Sequence, residues 1–427
     1  YTFASQYTKG FQGFGRGLSI LITLFLVFGN YLLLKTNIAL ENITKIETKL
    51  DEVSILVSKD DPATSIDDLV DYTFGYHETL DKENSLKTIE SIKKDMDIEM
   101  KLASYTDFNH LLDDFFQGKV KVIILNEAYR ETLNEIVENF DKETKTLSEH
   151  IIETKVDTDK IKKESIKEPF YVYISGIDTY GSISKQGRSD VNIIATVNPN
   201  RKQVLLVTTP RDYYVNIPKF DQKDKLTHAG IFGIDTSLET LEELYDIKIN
   251  YYIRVNFTSL VDIVNALDGI TVYSEQDFES LADRRQYPQY HFKKGYNKLN
   301  GLQALAFSRE RKAFEKGDYQ RGKNQLEVLK GIAQKALSPT ILMNYGKIMD
   351  AISNSFETNM NTKDIKDLIG MQIKDNTKWT IKSISVTGSN AFKTTYTYSS
   401  KKLAVIVPDR NTIESAKNSM EKVINGK

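Results

Sequence analysis

Residues 170–212 read FYVYISGIDTYGSISKQGRSDVNIIATVNPNRKQVLLVTTPRD, and this stretch decides the fold. Phe170 to Ile174 has the apolar, aromatic and β-branched character of a strand, and Ser175-Gly176-Ile177-Asp178 is the turn that leaves it. Val191 to Val197 reads as a second strand, Asn198-Pro199-Asn200 as a turn, and Gln203 to Thr208 as a third strand closed by Pro210. The second and third strands form a predicted hairpin, so Asp190, just before one, and Arg211, just after the other, fall at the same end. A first strand running parallel to the third brings Asp178 to that rim. Two carboxylates and at least one guanidinium then share one edge, which suits a multivalent anion and its metal.

The flanks extend the same pattern. Ser237 to Tyr245 reads as a helix, Ile247 to Val255 as a strand, Phe257 to Leu267 as a helix ended by Gly269, and Ile270 to Tyr273 as a strand. Helices at Ile341–Phe356 and Thr362–Ile373, a strand at Trp379–Val386, a strand at Leu403–Val407 and a terminal helix at Thr412–Asn425 follow. Residues 169–427 are therefore expected to form a larger α/β unit, a mixed sheet with helices on both faces and a C-terminal extension. Upstream, residues 37–145 alternate on a smaller scale. Strands are expected at Val53–Val57, Tyr72–Tyr76, Ile98–Ala103 and Val120–Leu125, and helices at Ser65–Val70, Ser85–Met96, Asp107–Phe116 and Glu127–Phe140. That is the pattern of a small parallel α/β unit, with no phosphate loop, metal spacing or nucleophile motif, and it reads as a spacer or a partner-docking module. Residues 146–168, dense in charge, are a linker or a solvent-exposed strand pair.

Gly17 to Leu34 carries no charge, with Lys9 and Arg16 before it and Lys35 after. The run is apolar all round and lacks a small-residue cleavage site, which favours a membrane span over a core helix or a cleaved signal. The basic residues on its short N-terminal side place that side in the cytoplasm and the rest of the chain outside the cell. The chain opens on Tyr1 and not on Met, which leaves room for further spans upstream. Its 427 residues suit two or three domains. A net charge of -2 and a pI of about 6.3 give no basic field for nucleic acid, and no helix-turn-helix is recognisable. Cysteine is absent, which excludes disulfides, thiolate metal sites and a cysteine nucleophile.

Three groups of residues carry candidate chemistry. Arg188-Ser189-Asp190 and Pro210-Arg211-Asp212 each set an Arg beside an Asp at a strand end, either a phosphate clamp with its own orienting carboxylate or a structural ion pair. Arg309-Glu310-Arg311 follows a predicted helix, Leu302 to Phe307; both Args can face one anion if the helix ends near Ser308, and otherwise they form a solvated basic helix end. Asp318, Arg321 and Gln325 share one face of a further helix, beside a stripe of Leu326, Leu329, Ile332 and Ala336, although Asp318 also suits an N-cap. Lys225 and His228 lie in a loop after the Arg211 strand, and His228 reads as a hydrogen-bonded loop residue.

The segments RSDVNII, TTPRDYYV, KLTHAG, VNFTSLVDIVNALDGITVY, KKGYNKLNGLQALAFSRER and DYQRGKNQ resemble, in order, the motifs of the LytR-CpsA-Psr family. A folded unit between an apolar helix and these motifs is similar to its capsule-related CpsA branch. The resemblance implies a phosphotransferase anchored in the cell membrane, with its folded domains extracellular. Such an enzyme moves a glycan from a polyprenyl pyrophosphate carrier to peptidoglycan and leaves a phosphodiester link. It further implies Arg188, Arg211, Lys225, Arg309, Arg311, Asp318, Arg321 and Gln325 at the substrate, and Mg2+ on Asp178 and Asp190. Arg188, Asp190 and Arg211 are the catalytic set, and the general base is left open between Asp178 and Asp190. Capsule assembly proteins are the further partners it suggests. Asn324 departs from the pattern, since many members carry another Arg there.

Overall fold

The computed structural model describes residues 9–44, 48–96, 100–137, 139–155, 166–283, 286–315, 317–336, 345–353, 355–375, 379–399 and 401–426. The apolar run lies in helix α1 (Lys9–Thr44), whose 36 residues reach about 54 Å. Within it Ile22–Asn42 is long and apolar enough to cross a membrane. The last turns of α1 are committed to the protein instead. Ala39 and Leu40 are buried, Lys35 Nζ sits 2.5 Å from Asp350, and Asn42 donates to Ser353 Oγ at 2.6 Å. Most of the large apolar side chains of α1 that are open to a surrounding medium, among them Leu24, Leu26, Leu33 and Leu34, precede Lys35, and Ile38 follows it.

A five-stranded sheet follows, with strands β1 (Thr48–Ser58), β2 (Thr73–His77), β3 (Lys101–Tyr105), β4 (Val122–Asn126) and β5 (Thr144–Lys155) in the order β3-β2-β4-β1-β5. Only part of it is parallel: β2 runs parallel to β3 and β4, while β1 is antiparallel to both β4 and β5. The expected linker thus begins as an edge strand, and 156–165 lie outside the described residues. Its charges gave a linker reading because Glu149 and Glu153 line the exposed face, while Leu147 and Ile152 on the other face join the core. Helices α2 (Lys82–Met96), α3 (Phe108–Phe116), α4 (Arg130–Ile136) and α5 (Phe140–Glu143) complete this accessory unit. The single helix expected over 127–140 is broken, because Val137 is extended and Asn139 adopts a left-handed conformation with φ 66°. The helix expected over 65–70 is one 3-10 turn, Ile66–Leu69.

The larger unit opens with β6 (Phe170–Ile177), β7 (Ser189–Asn198) and β8 (Gln203–Thr208), then the hairpin β9 (Tyr214–Ile217) and β10 (Gln222–Lys225). Next come α6 (Leu226–Ala229), α7 (Ile234–Tyr245), β11 (Tyr251–Val255), α8 (Phe257–Ala266) and four short strands: β12 (Ile270–Ser274), β13 (Phe278–Glu279), β14 (His291–Phe292) and β15 (Gly295–Leu299). The chain ends with α9 (Gly301–Arg309), α10 (Gly317–Ala336), α11 (Tyr345–Ser353), β16 (Phe356–Thr358), α12 (Thr362–Asp375), β17 (Thr380–Ser385), β18 (Gly388–Lys393), β19 (Leu403–Pro408) and α13 (Arg410–Ile424). Its central sheet has the order β16-β11-β6-β7-β8-β17. β7 is antiparallel to both β6 and β8, so those two are parallel, and β11 and β17 extend the sheet in parallel on either side. Asp178, Asp190 and Arg211 therefore meet at one rim, as the hairpin reading required.

Alternate residues of each central strand serve opposite faces, which gives the sheet two cores. On one face Tyr173, Ile194, Leu205 and Val207 pack with Leu238 and Leu241 of α7 and with Ile413 and Met420 of α13. On the other, Val172, Ile193, Ala195 and Leu206 pack with Leu326 of α10 and with Ile365 and Leu368 of α12. A third apolar cluster crosses between the units, where Leu111, Phe115, Tyr129, Leu133 and Phe140 meet Ile231, Tyr398 and Leu403.

Candidate active site

The rim is assembled from loops that leave parallel strands at the same end, the usual place for a ligand in an open α/β sheet. After β6, Asp178 turns back on the loop that leads into β7. Its Oδ1 accepts from the Arg188 backbone N–H at 3.1 Å, and its Oδ2 from Arg188 Nε and Nη2 at 3.0 and 2.9 Å. After β8, Arg211 Nη1 donates to both oxygens of Asp190, at 2.8 and 2.7 Å, and Thr227 Oγ1 donates to the same carboxylate at 3.0 Å. Lys225 closes the group with Nζ 3.4 Å from Asp212. Arg188, Arg211 and Lys225 are each 5% exposed or less. The loops can approach this closely because position 230 is a glycine: a Cβ there would lie 2.6 Å from the backbone N of Ser189.

Long cationic side chains held this deep need fixed partners, and the two Asp-Arg pairs supply them. Burial opposes the charge on Asp190, but Arg211, Arg188 and Arg321 outweigh it and hold the carboxyl far below the usual range. Asp178 goes the other way: burial, reinforced by the charge of Asp190, pushes it up against the attraction of Arg188.

A small open cleft lies beside the Arg211 pair, lined by Asp190, Thr208, Arg211, Tyr319, Arg321, Gln325 and Ser385 among others. Arg321 and Gln325 reach it from α10, four residues apart on one helical face. Asp318 lies in the first turn of α10, and its side chain is outside the described residues. Asn324 does not line the cleft; it is buried and donates to the Phe307 carbonyl at 3.2 Å, tying α10 to α9.

Arg309 and Arg311 stand at the end of α9, which closes at Arg309 with Glu310 extended. Arg309 lies over the Phe257 ring at 4.3 Å, and its Nη1 donates to Asp283 at 2.9 Å and to the hydroxyls of Tyr180 and Tyr287 at 3.2 and 3.1 Å. Arg311 is exposed, and neither Arg lines the cleft. His228 is fully buried, with Nδ1 2.7 Å from Asp224; it is hydrogen-bonded as expected, but it lies in the short helix α6 and not in a loop.

Sequence reasoning missed Glu135. This α4 residue of the accessory unit accepts from Arg188 Nη1 at 3.2 Å and from Lys225 Nζ at 2.8 Å. No local signal marked it, since it lies in an ordinary polar helix more than fifty residues before its partner. Asp212 and Thr227 join the group for a simpler reason, being neighbours of Arg211 and Lys225 in quoted motifs.

The donors available to a cation are hard carboxylate oxygens. Asp178 and Asp190 interact electrostatically, and among the described residues no cluster of three or more ligating side chains occurs. Such a pair fits Mg2+ if phosphate oxygens and water complete the shell.

The chain is similar to known proteins in sequence and in fold. A teichoic acid transferase, TagU of Enterococcus faecalis, described as polyisoprenyl-teichoic acid–peptidoglycan teichoic acid transferase, is 41% identical over 205 residues, covering 47% of this chain and 65% of the relative. TagU of Bacillus cereus is 36% identical over 207 residues, 48% of this chain and 65% of the relative. The chain thus spans 65% of the length of these curated relatives. Among solved structures, B. subtilis TagV superposes with a TM-score of 0.51 at 29% identity, covering 61% of this chain and 98% of that one. Protein gbs0355 of Streptococcus agalactiae gives 0.53 at 30% identity, with 60% and 88% covered. The LytR_cpsA_psr family model matches residues 131–412, which hold every rim and cleft residue named above, and the chain belongs to that family.

Proposed function

We propose that this protein is a membrane-anchored phosphotransferase that moves a glycopolymer from a polyprenyl pyrophosphate carrier to peptidoglycan, forming a phosphodiester link. The observation that carries the reading is the convergence of Arg188, Arg211, Lys225 and Arg321 with Asp178 and Asp190 at one rim beside an open cleft. Phosphoryl transfer asks a protein mainly for positioning and for stabilisation of charge, and fixed guanidinium groups provide both. In this reading Arg211 and Arg321 hold the phosphate next to the cleft, Gln325 donates to it, and Arg188 and Lys225 hold the second phosphate. An acceptor hydroxyl attacks the glycan-side phosphorus and gives its proton to the base left open between Asp178 and Asp190, the bond to the bridging oxygen breaks, and polyprenyl phosphate leaves with the charge these groups neutralise. Asp178 and Asp190 would hold Mg2+, which when bound would screen the diphosphate.

The exposed apolar stretch of α1 supports an anchor that leaves the folded units outside the cell. The relatives' names specify teichoic acid. The accessory unit supports a capsular polysaccharide as the cargo here, with capsule assembly proteins as its partners. Full-length protein in detergent, given polyprenyl pyrophosphate-linked capsular glycan or teichoic acid, Mg2+ and peptidoglycan, is expected to release polyprenyl phosphate and attach glycan to the wall polymer. EDTA should abolish both. Carrier consumption of equal rate without peptidoglycan would instead mark a pyrophosphatase, and an unchanged carrier would overturn the enzyme reading.

A further inference from the structure

The accessory unit is joined to the larger one at a defined place. Beyond the shared apolar cluster, the Leu50 N–H donates to the Ser184 carbonyl at 2.9 Å, and the Gln186 N–H donates to the Leu50 carbonyl at 3.0 Å. Lys185 Nζ pairs with Glu52 at 2.6 Å. The loop between Asp178 and Arg188 is thereby fastened to β1 of the accessory sheet, and α4 is held over the rim. From α4, Glu135 bridges Arg188 and Lys225 with one carboxylate oxygen on each, and Glu131, one turn earlier, has an oxygen 4.0 Å from Arg188 Nη2. Two oxygens of one anion set on two cations is also how a phosphate would sit there.

The charges around the rim explain why this bridge matters. Arg188, Arg211, Lys225 and Arg321 face Asp178, Asp190, Asp212, Glu135 and the more distant Glu131, so four cations meet five carboxylates and no positive charge is left over. A diphosphate that arrives at such a cluster gains little from it. If Glu135 leaves, two cations are released at once.

We propose that Glu135 occupies the seat of one substrate phosphate on Arg188 and Lys225, and that the diphosphate binds by displacing it. The accessory unit thereby sets the affinity of the site and makes it select for a ligand with enough charge to win the exchange, a diphosphate over a monophosphate. The proposal rests on the reading of Arg188 and Lys225 as phosphate arms. Arg188 keeps its bonds to Asp178 after the exchange, and Lys225 keeps Asp212, so neither cation is stranded.

The test is calorimetric titration of the full-length protein in detergent with inorganic pyrophosphate and Mg2+. Wild type is compared with Glu135→Gln, which keeps the shape of the side chain, and with Arg188→Ala. Glu135→Gln should bind about twofold to fivefold more tightly, the scale of one partly screened ion pair, and Arg188→Ala should bind more weakly than wild type. Hydrogen exchange supplies a second readout: amides of 131–136 should exchange faster when pyrophosphate is added to wild type. Equal or weaker binding by Glu135→Gln, with wild type binding normally and exchange at 131–136 unchanged, would overturn the proposal alone. Absence of binding to all three proteins would overturn it together with the phosphate-arm reading.

Discussion

Replacing Arg211 with Ala tests stability and function at one atom group. Arg211 is 5% exposed and its Nη1 contacts both oxygens of Asp190 at 2.7–2.8 Å. Breaking a buried pair from one side costs about 3–5 kcal/mol because the remaining charge is stranded. Asp190 is less isolated than that case: its side chain is 17% exposed and it keeps the Thr227 hydroxyl. A loss of about 2–3 kcal/mol is therefore expected. Trp379 is the one tryptophan in the chain and immediately precedes β17, the strand paired to β8, so its fluorescence in urea reports unfolding of the sheet that carries Arg211. Adding Asp190→Asn removes the stranded charge and should recover about 1–2 kcal/mol, a coupling within the range for residues in contact. Glycan transfer should fall about 100- to 1000-fold in Arg211→Ala, the scale of losing one fixed donor to a developing charge, and the second change should not restore it. A folded Arg211→Ala protein with wild-type transfer would refute the phosphate role. Unfolding within about 0.5 kcal/mol of wild type, the spread of ordinary surface substitutions, would refute the buried-pair argument.

Two further outcomes test the scaffold. His77 is buried, and its Nδ1 accepts N–H bonds from Thr79 and Leu80, which requires the neutral ring; burial lowers its pKa to about 4. The unfolded chain takes a proton near pH 6.5 that the folded chain refuses, so stability is full above that pH and falls toward pH 4, by about 3 kcal/mol at most. His77→Asn should flatten this part of the stability curve, and an unchanged slope in acid denaturation would count against the neutral buried ring. At the crossing of α8 and α9, a Cβ on Gly301 would lie 2.4 Å from the Val261 carbonyl oxygen. Gly301→Ala is expected to cost about 1–3 kcal/mol, and an unshifted thermal midpoint would show that the helices have room to spare.

How much of this was legible in the chain depended on the range of the interaction. Strands β6 to β8 announced themselves through short apolar, aromatic and β-branched runs and a turn, and hairpin geometry then placed Asp190 and Arg211 together without further information. Capping at Asn256 and Asn300 set the starts of α8 and α9, within a residue of the sequence estimate. Pairing between distant segments had no such local mark. The β1–β5 ladder, with partners as far apart as Thr48 and Lys155, turned an apparent linker into an edge strand. The partners of Arg309, Asp283 and the Phe257 ring, come from segments distant in sequence and had no local mark either.

By itself the sequence determined the apolar helix, the strand-helix alternation of both units, the shared rim of Asp178, Asp190, Arg188 and Arg211, and the motif set of the family. These follow from properties repeated every two or three to four residues, or from turns that bring neighbours together. Tertiary structure alone decided strand order, the separation of Arg309 and Arg311 from the cleft, and the arrival of Glu135 from the accessory unit. Those depend on which surfaces bury one another across long stretches of chain, and burial is settled by the packing of the whole fold.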